Sequence, residues 1–298
     1  AVLVIFIVIL SVSTPIFPTI DNIMSVLRQG FTNVCLGLGL TLVIILGEID
    51  LTGGAVMAMT GTYTVSFIVN GNMPVVVAII LGLCLGLLVG FLNGAIISAL
   101  NVPAFIVTLS FMNIARGAGY LATGGLATRI QDPAFTDLGV GRIFDIPIQI
   151  YYSIVLIIIF AIILNKTKFG TYIFAIGGNR EAARLSGIPI RKVQIIVFSI
   201  SGLMSAIAGI VLAARMYSAQ PNVAEGSEMD AIAACVLGGV SMRGGIGSIS
   251  GAIIGVLVIG LINNGLNLLG VNSFWQLIAK GVVILVAIYI DTMKNKYR

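Results

Sequence analysis

The sequence predicts an all-α fold: a polytopic helical membrane protein with about ten transmembrane helices. Three observations carry that expectation. Hydrophobic residues make up 58% of the 298 and charged ones only 9%, whereas about a quarter of a soluble domain is charged. Apolar runs long enough to cross a hydrocarbon core of roughly 30 Å recur along the whole chain. Between two of these runs lies one clearly polar stretch, residues 166–192, with Lys166, Lys168, Arg180, Arg184, Arg191 and Lys192 against the single acid Glu181. A loop this basic stays in the cytoplasm, because insertion opposes the transfer of Lys and Arg.

Taken in order, the first segment is 1–17, ended by Pro15 and Pro18. The chain starts without Met inside this apolar run, so a cytoplasmic start trimmed away upstream is expected, and no cleavable signal pattern is present. The second segment, 30–47, leads through a short turn at Gly47 to Gly54 into the third, 54–70, which stops at N-G-N-M-P. The fourth covers 74–99, and Asn101 with Pro103 turns it into the fifth, 104–122. A polar loop, 123–148, then carries Asp132, Asp137 and Asp145. The sixth, 149–165, enters the basic stretch and the seventh, 193–213, leaves it. The eighth, 229–240, is short for a full crossing; the ninth, 248–269, and tenth, 274–290, precede the basic tail Lys294, Lys296 and Arg298. With 166–192 inside, alternation places both chain ends in the cytoplasm and loops 123–148 and 214–228 outside. An internal echo, L-G-E-I-D-L-T-G-G (46–54) against L-G-G-V-S-M-R-G-G (237–245), points to a duplicated half.

Several function classes drop out. There is no His, which removes the commonest general base and metal ligand. Cys35, Cys84 and Cys235 lack paired spacing and read as small buried hydrophobes. No G-x-x-x-x-G-K-[ST] occurs, so ATP hydrolysis by that route is not expected of this chain. The net charge of +5 comes from loops and not from a basic face for nucleic acid. The expectation is a non-enzyme without bound cofactor or metal. Asp50 reads as a helix N-cap; Glu48 is left open between water, a loop Arg and a soluble partner. Arg116 and Lys280 would snorkel or line a cavity. Gly82, Gly86 and Gly90 read as close helix packing, and Asn263, Asn264 and Asn267 as interhelical contacts.

Five motifs together resemble one family: G-E-I-D-L-T-G-G (47–54), N-R-E-A-A-R-L-S-G-I (179–188), S-A-Q-P (218–221), E-M-D-A-I-A-A-C-V-L-G-G (228–239) and I-N-N-G-L-N-L-L-G-V-N-S-F-W-Q (262–276). They are similar to the ribose-type monosaccharide permeases of bacterial ABC importers. The resemblance implies one transmembrane permease domain over 1–298, in the bacterial inner membrane. It implies a second copy of the permease, a cytoplasmic ATPase subunit that carries ATP and Mg, and an extracytoplasmic sugar-binding protein. Glu181-Ala-Ala with Gly187 resembles the EAA loop of such permeases, which implies ATPase coupling through Asn179, Arg180, Glu181, Ala182, Ala183, Arg184 and Gly187. The motif differs from the family in lacking a later L-P, and Glu48 adds a carboxylate. A short helix fits it: Asn179 as N-cap, Glu181 at the positive end, Ala182 and Ala183 as helix formers, Gly187 and Pro189 as the stop.

A sugar path needs uncharged hydroxyl, amide and aromatic groups, for which Tyr63, Thr64, Thr108, Ser110 and Asn113 are the candidates; each could equally bond a neighbouring helix. Ribose is the first expectation, with galactose, xylose, allose and autoinducer-2 as alternatives. The rival class is an ion-coupled secondary transporter, which needs intramembrane carboxylates; only Glu48 and Asp50 offer themselves, both near a membrane face.

Overall fold

A computed structural model describes Ser11 and residues 14–272, 274–279, 281, 282 and 285. In chain order it contains α1 (Ile20–Ile45), α2 (Gly53–Val69), α3 (Val75–Leu100), α4 (Ala104–Thr123), β1 (Thr128–Arg129), α5 (Pro133–Val140), β2 (Arg142–Ile143) and β3 (Ile146–Pro147). These are followed by α6 (Ile148–Lys166), α7 (Lys168–Gly178), α8 (Arg180–Leu185), α9 (Ile190–Met216), β4 (Ser218–Ala219), α10 (Ser227–Leu237) and α11 (Ile249–Leu268). Six of the described helices, α1, α3, α4, α6, α9 and α11, are long and apolar enough to cross a membrane. The fold is therefore an all-α polytopic membrane bundle.

Burial sorts these helices into layers. The most apolar windows of α1 and α9 are 72% and 67% buried, while those of α3 and α6 are 22% and 17% buried. α1 and α9 are the inner helices; α3 and α6 turn most of their surface to the surroundings. A glycine seam lets α3 lie against α9. A Cβ placed on Gly86 would stand 2.6 Å from the Gly202 carbonyl oxygen, and Gly90 faces the Phe198 backbone in the same way, while Gly82 makes room for the Thr64 hydroxyl of α2. Without side chains between them the two backbones touch, which is how helices associate in lipid.

The structure departs from the sequence reading in three places and bears out the short eighth segment. α1 begins at Ile20, ten residues before the expected segment, because Thr19 caps it through a bond from the Asn22 N–H (3.3 Å). Its first turns carry Asp21, Asn22, Arg28 and Gln29, which hid them from an apolar scan. The expected eighth segment is α10, 11 residues long; at 1.5 Å per residue it covers about 16 Å, half a bilayer core. Residues 123–148 are built rather than loose: β1 pairs with β4, β2 with β3, and α5 lies between. The basic stretch is two helices, α7 and α8. Most of the first segment, the end of the tenth from residue 286 on, Lys280 and the basic tail lie outside the described residues.

Candidate functional site

The site grows from the short helix α8. Asn179 caps it: its Oδ1 accepts from the Ala182 N–H at 2.9 Å. At the other end Ile188 N–H donates to Ala183 O (3.1 Å) and Gly187 N–H to Arg184 O (3.0 Å), the paired bonds of a Schellman motif. Gly187 stands at φ +78° with nothing near an added Cβ, so its role is backbone conformation and not room for a partner. The helix faces the bundle with Ala183, 4% exposed, and faces outward with Leu185, 79% exposed. Arg180, Glu181, Ala182 and Arg184 are exposed as well. The two adjacent alanines are thus divided: Ala183 belongs to the protein's own core, while Ala182 is exposed along with Leu185.

Arg180 ties α8 to the turn after α1. Its Nη1 donates to Glu48 Oε1 at 2.8 Å and its Nη2 to Gln194 Oε1 at 3.1 Å, while Gln194 Nε2 donates to the same Glu48 oxygen at 2.9 Å. Burial pushes the Glu48 carboxyl above its usual range, and the hydrogen bond and charge of Arg180 pull it back part of the way. Two residues on, Asp50 is 1% exposed. Its Oδ1 accepts from the N–H (2.9 Å) and hydroxyl (2.6 Å) of Thr52, and its Oδ2 from the Ser201 hydroxyl (2.7 Å). Asp50 is therefore a tie between this segment and α9; Thr52 occupies the cap position of α2. Thr108 adds a bond from its hydroxyl to Ile49 O at 3.3 Å.

These contacts give the segment a direction. Glu48 meets Gln194, Asp50 meets Ser201, and Gly53 lies against Ser205. It climbs α9 by roughly 16 Å, at 1.5 Å per residue, before α2 begins. α10 begins at the same level, since an added Cβ on Gly54 would run into Glu228 and Ala224. α10 then returns toward the α8 side, where Gly245 N–H donates to Ile45 O at 2.8 Å and Gly244 lies against Gly177. Two helices, α2 and the shorter α10, thus start side by side and point to opposite faces. Their N-termini carry partial positive charge, and Glu228, 8% exposed, holds its carboxylate there with Oε2 unbonded. Arg116 braces the approach, donating to Pro221 O (2.9 Å) and Val223 O (2.8 Å).

The expected path residues separate by surroundings. Ser110 and Asn113 lie three residues apart on the exposed side of α4, each bonded to its own helix, Ser110 to Ile106 O (2.9 Å) and Asn113 to Leu109 O (3.1 Å). Tyr63 is half-buried on α2 with its ring 5.8 Å from Phe67. Thr64 and Thr108 are fully buried, Thr64 beneath Gly82 and Thr108 against the 46–52 segment. The asparagines of α11 meet different helices: Asn264 exchanges bonds with Asn22 (2.9 and 3.1 Å), and Asn263 donates to Asp230 at 3.4 Å. Cys35 and Cys235 are buried, whereas Cys84 is exposed on α3. Sequence reasoning missed Gln194 and Glu228. The signal for Gln194 was its place, seven residues before Ser201 on one face of an apolar helix.

An apolar bundle of this kind, with two helices starting side by side inside it and a capped helix exposed along one side, is a polytopic membrane protein. Residues 22–288 match the family described as "Branched-chain amino acid transport system / permease component", and the chain belongs to that family. It is 45% identical over 295 residues to the ribose import permease protein RbsC of Bacillus subtilis, covering 98% of this chain and 91% of that one. The ribose import permease of Escherichia coli K12 is 42% identical over 300 residues, 98% of this chain and 92% of its own length. The L-arabinose transport system permease protein AraH of Escherichia coli K12 is 45% identical over 250 residues, 84% of this chain and 76% of that one. No solved structure matches significantly. The relatives are transport components and not enzymes.

Proposed function

We propose that this chain is the membrane permease subunit of an ATP-driven bacterial importer for a monosaccharide, with ribose as its solute. The observation that carries the reading is the alignment along nearly the whole chain with ribose import permeases at 42–45% identity. A second pentose is favoured by the match to the L-arabinose permease. In this reading ten segments cross the inner membrane with both ends in the cytoplasm, α10 doing so together with the chain that leads into it, and a second copy completes the path. Ser110 and Asn113 face that path with Tyr63, and Thr64 and Thr108 hold the helices behind it. An extracytoplasmic binding protein delivers the sugar to the face formed by 123–148. The cytoplasmic ATPase, which carries ATP and Mg, receives α8 through Leu185, with Glu181 and Arg184 at the rim. The test is ATPase stimulation: the permease reconstituted with the ATPase and binding protein should hydrolyse ATP faster with ribose than with arabinose or no sugar. A response to neither sugar overturns the pentose reading.

A further inference from the structure

We propose that Glu48 is a positioning residue for energy coupling: with Arg180 and Gln194 it clamps α8 to the segment 46–52, so that the two move as one body. The proposal rests on the reading of α8 as the ATPase contact and adds the element that carries its motion inward.

The clamp is a closed ring of three side chains from three parts of the chain. Glu48 Oε1 accepts twice, Arg180 donates through both terminal nitrogens, and Gln194 both donates and accepts. An ordinary surface pair lies close by for comparison. Arg184 and Glu181 bond each other three residues apart on α8, with side chains 69% and 66% exposed, and pairs of that kind contribute little. Glu48 differs, with its side chain 14% exposed and its acceptor shared between two segments. Within α8 itself the one buried side chain is the small Ala183, and Ile188 packs on the core just beyond the helix.

What lies beyond the clamp gives it a consequence. Two residues after Glu48, Asp50 is bonded on one side to Ser201 of α9 and on the other to Thr52, the cap residue of α2. α2 begins against Glu228, where α10 begins. A displacement of Arg180 therefore reaches the start of α2 through hydrogen bonds and two residues of backbone, and the start of α10 through the packing of Gly54 against Glu228. Motion passes between sites through such contiguous rigid contacts. Leu185, which points away from the bundle, takes no part in this route, so attachment and transmission fall on different residues.

The test compares Glu48→Ala, Glu48→Gln and the charge exchange Glu48→Arg with Arg180→Glu in the full permease. In complex with the ATPase, Glu48→Ala should keep the ATPase attached and lower the solute imported per ATP by about threefold to tenfold, the range expected for a charged bond of this exposure. Glu48→Gln keeps an acceptor oxygen for both partners and should retain most of the coupling, and the charge exchange should recover it. The second readout uses the permease alone. Amide exchange at residues 183–188 should speed up in Glu48→Ala and return toward wild type in Glu48→Gln. This readout stands even where no ATPase binds the wild-type protein, so a failed ATPase reading and a failed clamp are told apart. Unchanged exchange in Glu48→Ala overturns the clamp, and so does wild-type solute per ATP. Loss of ATPase attachment in that variant also overturns it, since Glu48 would then belong to the docking face.

Discussion

Leu185→Asp and Ala183→Asp, two residues apart on α8, should both stop transport, but by different routes. Leu185 is 79% exposed in the free permease, so an Asp there changes little in the fold; surface substitutions usually stay within about 0.5 kcal/mol. On docking, that side chain would leave water, and full burial of a Leu contributes about 1.5–3 kcal/mol. Its loss should weaken attachment of the ATPase roughly tenfold to a hundredfold, at 1.4 kcal/mol per tenfold. Ala183 is 4% exposed and lies in the main apolar core. The cation one turn before a carboxylate there, Arg180 three residues earlier, is already bonded to Glu48, and a poorly compensated buried charge costs several kcal/mol. Ala183→Asp should therefore lower the melting temperature of the permease itself. The assay is paired: melting of each permease in detergent, and binding of each to the purified ATPase. If Leu185→Asp binds the ATPase as tightly as wild type, the outward face of α8 is not the docking face. If it melts as early as Ala183→Asp, the division of the helix into two faces is wrong.

Three further outcomes follow from the same contacts. Gly86→Ala should destabilise the bundle by about 1–3 kcal/mol, because the new methyl meets the Gly202 carbonyl at 2.6 Å. Gly117→Ala, with nothing within 4 Å, should be neutral or stabilising by up to about 1 kcal/mol, and equal melting shifts in the two would refute the seam. The pH dependence of stability should carry a contribution from Glu48, whose folded carboxyl titrates above its unfolded value because burial outweighs Arg180. A raised acid contributes stability that is fully present below the unfolded pKa and is lost as pH rises through the folded one. Melting of wild type relative to Glu48→Gln should therefore fall as pH rises above about 4.3, the usual Glu value; parallel curves would contradict it.

Where local chemistry and apolar length agree, the sequence was enough. α3, α4 and α6 lie within a residue of their expected ends, because uniform apolar runs are bounded by Pro74, Pro103 and Pro147 at their starts. α8 also stood in the sequence, since Asn179 and Gly187 are signals that act over three or four residues. Its facing did not. A six-residue helix with adjacent alanines has no apolar stripe to say which methyl turns inward, and only packing against the bundle selects Ala183. The partners of Glu48 were out of reach for another reason: Arg180 and Gln194 are 132 and 146 residues away along the chain. Arg116 was undecided because its acceptors are main-chain carbonyls of Pro221 and Val223, which every residue possesses. Asp50 was expected at a helix start and stands beside one, yet its second oxygen goes to Ser201, a bond set by how α9 crosses the segment.

The most direct measurement is sugar uptake into proteoliposomes that hold the permease with its ATPase, with binding protein and labelled ribose outside and ATP inside. The account predicts ribose accumulation that requires ATP and the binding protein, persists when ion gradients are collapsed, and fails in Leu185→Asp. Accumulation driven by an ion gradient without ATP would contradict it and make the chain a secondary transporter.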